Sequence, residues 1–224
     1  MKSFSLQLFR ISILGYNYKK VMNMNEFEKL KRDILTCQAC QDIIPYAPRP
    51  IFQGQQDSFI MQISQAPSRK VMETGLPFND VSGEKLRNEW YQITSEQFYN
   101  PQYFYITSIG RCFPGKAKTG DNPPSFQCAQ RFLKKELEVV QPQIYILIGS
   151  YAAKFFYPDL TLEELIFNDH NYLGKPLFVL PHPSPLNRKW LKDHPDFENK
   201  RIIEIRKQIH HILQQSQTLP IDSD

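Results

Sequence analysis

Four cysteines are the residues whose type and spacing most clearly suggest chemistry. Cys37 and Cys40 form a C-x2-C pair, and Cys112 and Cys128 form a distant C-x15-C pair. The chain is long enough to build a core without disulfides, and its first residues make a poor secretory signal, so paired disulfides are disfavoured. Four thiolates can instead hold zinc or an iron-sulfur cluster. Zinc ribbons usually combine two close C-x2-C knuckles, so the irregular second pair favours an iron-sulfur cluster. The spacing of the cysteines does not by itself exclude a zinc site.

A second group of candidate residues follows an apolar, strand-like segment. Residues 64–68 are small or contain proline, and they offer backbone N–H groups to an oxyanion or a planar carbonyl. Further on, Phe78 follows Pro77 and provides a rigid aromatic surface on which a base can stack. The alternative is that Phe78 is a core aromatic and that Asn79 and Asp80 form a turn or a helix cap. On these residues alone that alternative is favoured.

His182 lies in a third loop, between two prolines that fix the imidazole at low entropic cost. An isolated histidine of this kind is more often structural than catalytic. Here it is followed by a rigid Ser-Pro turn at Ser184, an apolar tip at Leu186 and the basic pair Arg188 and Lys189. Such a loop suits entry into a duplex groove while its base touches a pocket.

The charge distribution decides how the chain could bind a polyanion. The net charge is +4, but residues 1–21 contribute four basic side chains and no acid, so the remaining 23 basic residues meet 23 acidic ones. A neutral body must cluster its basic groups on one face in order to bind DNA. The loops supply such a candidate basic rim, which consists of Arg111, Lys116, Lys118, Arg188, Lys189 and Lys192.

These loops require strands to position them. Four apolar segments predict strands, at residues 58–64, 103–109, 143–149 and 176–180. Apolar residues at helical spacing predict helices at residues 126–140 and 197–212. The alternation predicts an α/β fold with three α/β/α layers around a central, mostly parallel four-stranded sheet. Ligands bind outside the carboxyl ends of such strands, where the loops at residues 64–79, 108–124 and 181–190 begin.

The composition is that of an ordered globular protein, with 41% hydrophobic and 22% charged residues. No stretch approaches the 18 apolar residues that suggest a membrane span, so no membrane partner is expected. We predict one domain over residues 25–215, an extension at residues 1–24 and a tail at residues 216–224. The extension is basic and free of acids, so organellar targeting stays open, but a start at Met22 or Met24 is favoured. We expect a monomer in a bacterial-type cytoplasm.

In their order along the chain, these motifs resemble the uracil-DNA glycosylase superfamily, specifically its iron-sulfur branch known as family 4 and related bacterial proteins. The resemblance runs from about Cys37 to Leu213. All four cysteines match the cluster ligands of that family. Its G-E-x-P-G, T-G-x-P-F, N-x-x-[KR]-C and H-P-[SA] motifs correspond to residues 64–68, 74–78, 108–112 and 182–184.

The resemblance implies an enzyme of DNA repair that flips a deaminated base, most often uracil, out of DNA and hydrolyses its N-glycosidic bond. It implies a [4Fe-4S] cluster on the cysteines, with structural zinc as the alternative. It also implies that Phe78 stacks on the base and that His182 donates to the carbonyl oxygen that gains charge. Gln65 and Ala66 would present backbone groups to the base. The remaining expected base contacts are Asn79, Ser108 and Ser184.

Three departures from the family pattern affect the catalytic prediction. Family 4 has Glu where this chain has Gln65, family 1 has Asp where Ala66 stands, and Ser108 replaces the Asn that reads the base. We predict that Asp80, close after the stacking Phe78, positions the water in place of the missing acid. Capping of the next helix is an equally weighted alternative. The missing acids also keep open a non-catalytic nucleic-acid-binding member, and zinc keeps open a protein acting on nucleotides or another small ligand.

Overall fold

The computed structural model describes residues 26–217, so the predicted extension at residues 1–24 lies outside the described residues. One five-stranded sheet forms the centre of the fold, with the strand order β2-β1-β3-β5-β4. Its strands are β1 (Ile60–Ser64), β2 (Phe104–Ser108), β3 (Ile144–Ile148), β4 (His170–Tyr172) and β5 (Lys175–Leu180). The first three and β5 pair in parallel, and β4 pairs antiparallel to β5. The predicted mostly parallel α/β sheet is therefore confirmed.

The strand count was predicted as four because β4 leaves no apolar run in the sequence. Its three residues are half-buried or exposed. It is joined to β5 through Leu173 and Gly174, both of which have positive φ angles (51° and 76°). Two consecutive positive φ angles are typical of the tight turn in a two-residue β-hairpin. Pairing with β5, and not burial of its own side chains, therefore defines this edge strand.

Helices cover the sheet on both faces. Every residue of β1, β2 and β3 is buried, which requires cover on both sides. The helices up to β3 are α1 (residues 26–35), α2 (Arg69–Thr74), α3 (Val81–Glu84, continuing through Lys85–Tyr91), α4 (Ser95–Tyr99) and α5 (Phe126–Cys128, Ala129–Leu133 and Lys134–Val139 in succession). After β3 follow α6 (Ser150–Phe156), α7 (Leu162–Phe167), α8 (Arg188–Asp193) and α9 (Phe197–Arg201, continuing through Ile202–Gln217).

The two long predicted helices are present as α5 and α9, and α9 ends at Gln217, two residues into the segment predicted as a tail. Apolar residues spaced at three and four positions along both helices lie in the hydrophobic core. Ile205, Ile209 and Ile212 of α9 are all buried. No helix among residues 26–217 is long and apolar enough to cross a membrane.

Strand register brings the loops together at one edge of the sheet. Ser64 and Ser108 are paired at the carboxyl ends of β1 and β2. The pairing continues beyond the strands, because the backbone N–H of Gly110 donates to the carbonyl oxygen of Gln65 at 2.9 Å. The first and second loops therefore leave the sheet side by side. β5 ends nearby at Leu180 and delivers the third loop to the same edge.

Candidate active site

A cavity of about 430 Å³ opens at the carboxyl ends of the parallel strands. Its position agrees with the rule that ligands of open α/β sheets bind outside these strand ends. Nine of the predicted site residues line it: Gln65, Ala66, Phe78, Asp80, Ser108, Lys116, His182, Ser184 and Leu186. The fold thus brings residues from all three predicted loops to one pocket. The other predicted residues of the base pocket and the DNA contact, Asn79, Arg111, Lys118, Arg188 and Lys189, do not line it.

His182 has a defined hydrogen-bond arrangement inside this pocket. The backbone N–H of Ser184 donates to Nδ1 of His182 at 3.2 Å, and the side-chain amide of Asn187 donates to the carbonyl oxygen of His182 at 2.8 Å. Burial lowers the pKa of His182, while Asp80 and Asp121 act in the opposite direction. Because Nδ1 accepts a hydrogen bond, the neutral ring carries its proton on Nε2. His182 is therefore a neutral hydrogen-bond donor.

Asp80 is held by two donors at the pocket wall. Its Oδ1 accepts from the backbone N–H of Gly83 at 3.0 Å, and its Oδ2 accepts from the hydroxyl of Ser68 at 2.6 Å. The first contact caps α3, so the capping role that the sequence analysis considered is present. Each carboxylate oxygen can accept a second hydrogen bond. Capping therefore does not prevent Asp80 from also binding a molecule in the cavity.

Phe78 belongs partly to the core and partly to the pocket. Its ring is half-buried and meets the ring of Phe98 edge-on, with a centroid distance of 6.2 Å. It also lines the cavity beside Pro77. The core packing that the sequence analysis gave as one alternative is therefore present, and the residue also borders the cavity.

Ser108 lines the cavity, and its hydroxyl proton is already engaged in a hydrogen bond. Its hydroxyl donates to the carbonyl oxygen of Gly110 at 2.7 Å, and the residue is only 6% exposed. A hydroxyl has one proton and two lone pairs. With the proton committed to Gly110, the oxygen of Ser108 acts toward a bound ligand as an acceptor.

Several pocket residues were missed by the sequence analysis. Asp121 lines the cavity, and its charge raises the pKa of His182 against the effect of burial. It also forms an ion pair with Lys116 at 2.7 Å. Gly149 and Ser150 line the cavity directly after β3. Their position after a buried strand was a usable signal, but no recognisable motif marked them.

The prediction that Arg111 belongs to a DNA-contacting rim is wrong. Arg111 is 1% exposed, and its guanidinium forms a salt bridge with the buried carboxylate of Glu136. The hydroxyls of Tyr105 (2.6 Å) and Thr107 (3.3 Å) also donate to Glu136. A buried charge requires a partner, and the carboxylate of Glu136 on α5 supplies it inside the fold, although Nε and Nη1 of Arg111 have no hydrogen-bond partner among residues 26–217. Arg111 is therefore unavailable to a phosphate group.

The remaining basic residues of the predicted rim are on the surface. Lys116, Lys118, Arg188, Lys189 and Lys192 are all exposed. Leu186, the apolar tip of the third loop, is 72% exposed. A large exposed apolar side chain among basic groups is the arrangement that a wedge into stacked bases needs.

The four cysteines come close enough to influence one another. Burial raises the pKa of Cys40, and Cys128 and Cys37 act in the same direction. Burial also raises the pKa of Cys112 to about 12, with further contributions from Cys128, Cys40 and Cys37. Within residues 26–217, no group of three or more His, Cys, Asp or Glu side chains has the arrangement of a metal site. The chain nevertheless brings four sulfur donors near one another, and a set of cysteine thiolates is what an iron-sulfur cluster or a zinc ion binds.

Comparison with known proteins identifies the family of this chain. The family model of the uracil DNA glycosylase superfamily matches residues 51–206. The chain therefore belongs to the uracil DNA glycosylase superfamily, and the resemblance stated from its motifs is confirmed.

Its relatives include proteins named type-4 uracil-DNA glycosylase. The Thermotoga maritima protein is 23% identical over 164 residues, which cover 72% of this chain and 83% of that protein. The Archaeoglobus fulgidus protein is 24% identical over 143 residues, covering 62% and 68%. The Sulfurisphaera tokodaii protein is 20% identical over 135 residues, covering 60% of this chain and 59% of that protein.

Proposed function

We propose that this protein is a DNA glycosylase of base excision repair that binds an extruded uracil and hydrolyses its N-glycosidic bond. The observation that carries the proposal is the neutral donor of His182, held in a pocket that also contains an aromatic ring and a carboxylate. Hydrolysis of an N-glycosidic bond needs these elements: a platform for the base, a donor for the departing charge and a group that positions water.

His182 stabilises the leaving base. As the bond breaks, negative charge develops on the carbonyl oxygens of the base, so a fixed donor binds the transition state more strongly than the substrate. The lowered pKa of His182 keeps the imidazole neutral at physiological pH, with its proton on Nε2. The backbone N–H of Ser184 holds the ring in this tautomer.

Asp80 positions the attacking water. The family's usual acids are replaced by Gln65 and Ala66, and Asp80 is a carboxylate that lines the same cavity. The hydroxyl of Ser68 and the backbone of Gly83 fix its orientation. A fixed carboxylate can accept a proton from water as the sugar gains oxocarbenium character.

Phe78 and Ser108 recognise the base. Phe78 stacks on its face, and the oxygen of Ser108 accepts from a ring N–H. Uracil carries an N–H at ring position 3, whereas cytosine has an acceptor there, which would face a second acceptor. Hypoxanthine also carries a ring N–H, as do thymine and guanine, so Ser108 discriminates only against cytosine and adenine, the bases from which uracil and hypoxanthine are formed. Gln65, Ala66, Asn79 and Ser184 complete the proposed base contacts.

The DNA lies across the exposed basic rim. Lys116, Lys118, Arg188 and Lys189 contact phosphates, and Leu186 fills the space that the extruded base leaves. These side chains are exposed at or beside the mouth of the cavity. Phosphate contacts position the strand without reading its sequence, which suits a search for a rare base.

Cys37, Cys40, Cys112 and Cys128 hold a [4Fe-4S] cluster, with structural zinc as the alternative. Bound there, the cluster supplies no step of hydrolysis but cross-links distant segments. Cys112 follows β2, and Cys128 lies in α5. The cysteines therefore tie the segment after α1 to the sheet.

A glycosylase assay tests this function. The wild type is incubated with single- and double-stranded oligonucleotides containing one uracil, and abasic sites are revealed by alkaline cleavage. Matched oligonucleotides with thymine are the control. Cleavage at uracil alone supports the enzyme. The alternative, a non-catalytic DNA-binding member suggested by Gln65 and Ala66, predicts binding to both oligonucleotides and no abasic site.

A further inference from the structure

The backbone of Phe78 adopts a conformation that its side chain disfavours. Its φ angle is 53°, in the left-handed region that glycine occupies readily and residues with a Cβ atom rarely adopt. An aromatic residue remains there only when its surroundings stabilise the conformation, and such residues concentrate at functional sites. The contacts that hold Phe78 in this conformation therefore also determine the shape of the pocket wall.

Arg87 provides the principal polar contact. Its Nη1 donates to the carbonyl oxygen of Phe78 at 2.8 Å and to the hydroxyl of Tyr99 at 3.0 Å. Its guanidinium lies 5.4 Å from the ring centroid of Phe98 and 5.3 Å from that of Tyr99. Arg87 is thus oriented by aromatic rings on α4 so that it points at one backbone oxygen.

The backbone of Gly83 approaches the same oxygen. A Cβ atom built on Gly83 would lie 1.7 Å from the carbonyl oxygen of Phe78, closer than any real contact. Only glycine lets the helix approach so closely. The carbonyl oxygen of Phe78 therefore has both the backbone of Gly83 and the guanidinium of Arg87 close to it.

Burial of the Arg87 guanidinium lowers the stability of the fold unless its contacts offset the loss of hydration. The residue is 7% exposed, and its Nε has no hydrogen-bond partner among residues 26–217. Burying a cation costs free energy unless its charge and donors are satisfied. Its contacts with the rings of Phe98 and Tyr99 offset part of this cost. The hydrogen bond to Phe78 is the contact that a buried apolar side chain could not replace.

We propose that Arg87 is a positioning residue for base recognition: it holds Phe78 in the left-handed conformation and thereby sets the ring in the pocket wall. This inference rests on the proposed function, in which Phe78 stacks on the base. It assigns Arg87 no contact with the substrate, since Arg87 does not line the cavity.

The test compares Arg87→Met with a matched control, Arg201→Met. Arg201 is 8% exposed, donates to the carbonyl oxygens of Ile166 and Asn168 at 2.8 Å and lies 5.7 Å from the ring of Phe178, but it does not line the cavity. Both substitutions remove a buried guanidinium that binds backbone oxygens. The control therefore reports the general loss of stability.

The first readout is binding to a fluorescent single-stranded oligonucleotide with 2′-fluoro-2′-deoxyuridine, which resists hydrolysis, relative to the same oligonucleotide with thymidine. Arg87→Met and Phe78→Ala should each lower this preference about tenfold, because each loses the stacking contact. The double variant should lose no more than either single variant. Arg201→Met should retain the preference. Additive losses, or an unchanged preference in Arg87→Met, would overturn the inference.

The second readout is amide hydrogen exchange of the peptide covering residues 76–84. Exchange there should be faster in Arg87→Met and unchanged in Arg201→Met; unchanged exchange in Arg87→Met would contradict the inference. Should Arg87→Met not fold, Tyr99→Phe removes only the hydroxyl that orients Arg87, and it should raise exchange in this peptide by a smaller factor. If the wild type showed no preference for uracil, the proposed function would fail, while the exchange result would still decide whether Arg87 holds Phe78.

Discussion

The backbone N–H of Ser184 donates to Nδ1 of His182 and so fixes the proton of the neutral imidazole on Nε2. The two residues belong to one proline-rich turn, and the prolines keep their distance short without a long-range contact. The chemical role of His182 is therefore set by a residue two positions further along the chain. Protonation at low pH would place a proton on Nδ1 and break this hydrogen bond.

Stability should depend on pH through His182. Burial lowers its pKa below the ordinary value of 6.5, so the unfolded chain binds a proton more readily than the folded chain. The contribution of neutral His182 to the free energy of unfolding is complete above about pH 6.5. It is lost as the pH falls from there toward the pKa of His182 in the folded protein. Urea unfolding at pH 7.5 and 5.5 should show this loss in the wild type and a smaller loss in His182→Gln. An equal loss in both would contradict the assignment.

Asp80→Asn should separate capping from catalysis. Asparagine caps helices about as well as aspartate, so the melting temperature should change little. The charge that orients water is removed, however, and turnover should fall by about a hundredfold, within the range typical of general base catalysis. Single-turnover rates on a uracil oligonucleotide measure this effect. Turnover within twofold of wild type would show that Asp80 serves only as a cap.

We expect the four cysteines to bind a fixed number of iron and sulfide ions. Protein purified without oxygen should be brown and contain roughly four iron and four sulfide ions per chain, as a [4Fe-4S] cluster requires. Cys112→Ala should lose the colour and much of the folded stability, because Cys112 joins the other cysteines to the end of β2. Metal analysis and thermal melts provide the data. Stoichiometric zinc without visible absorption would instead establish the zinc alternative.

Substitution of Lys189 should weaken DNA binding, whereas substitution of Arg111 should lower stability. Lys189→Ala should weaken binding to all DNA sequences and reduce the salt dependence by about one phosphate contact, since the side chain is exposed. Arg111→Met should leave the salt dependence unchanged and lower stability, because Glu136 would lose its buried partner. Binding titrations over a range of salt concentrations distinguish them. A lower salt dependence in Arg111→Met would contradict the internal role of Arg111.

The sequence predicts the strands and the pocket better than it predicts individual side chains. Apolar runs identify the parallel strands, and chain order alone places His182 and Phe78 at the same sheet edge. The burial of Arg111 depends on Glu136, 25 positions away, and no local pattern reveals such a pair. The left-handed backbone of Phe78 likewise depends on tertiary contacts with Arg87 and Gly83. Side-chain contacts between separate elements therefore account for these two features, which no local pattern in the sequence reveals.

Release of free uracil by the wild type and by His182→Ala shows whether His182 takes part in hydrolysis. The wild type should release uracil from a single-stranded oligonucleotide, and His182→Ala should do so about a hundred to a thousand times more slowly with nearly the same affinity for the DNA. His210→Ala serves as the control, because His210 contacts the carbonyl oxygen of Tyr91 and does not line the cavity. If all three proteins bound the oligonucleotide equally and none released uracil, the catalytic account would be contradicted.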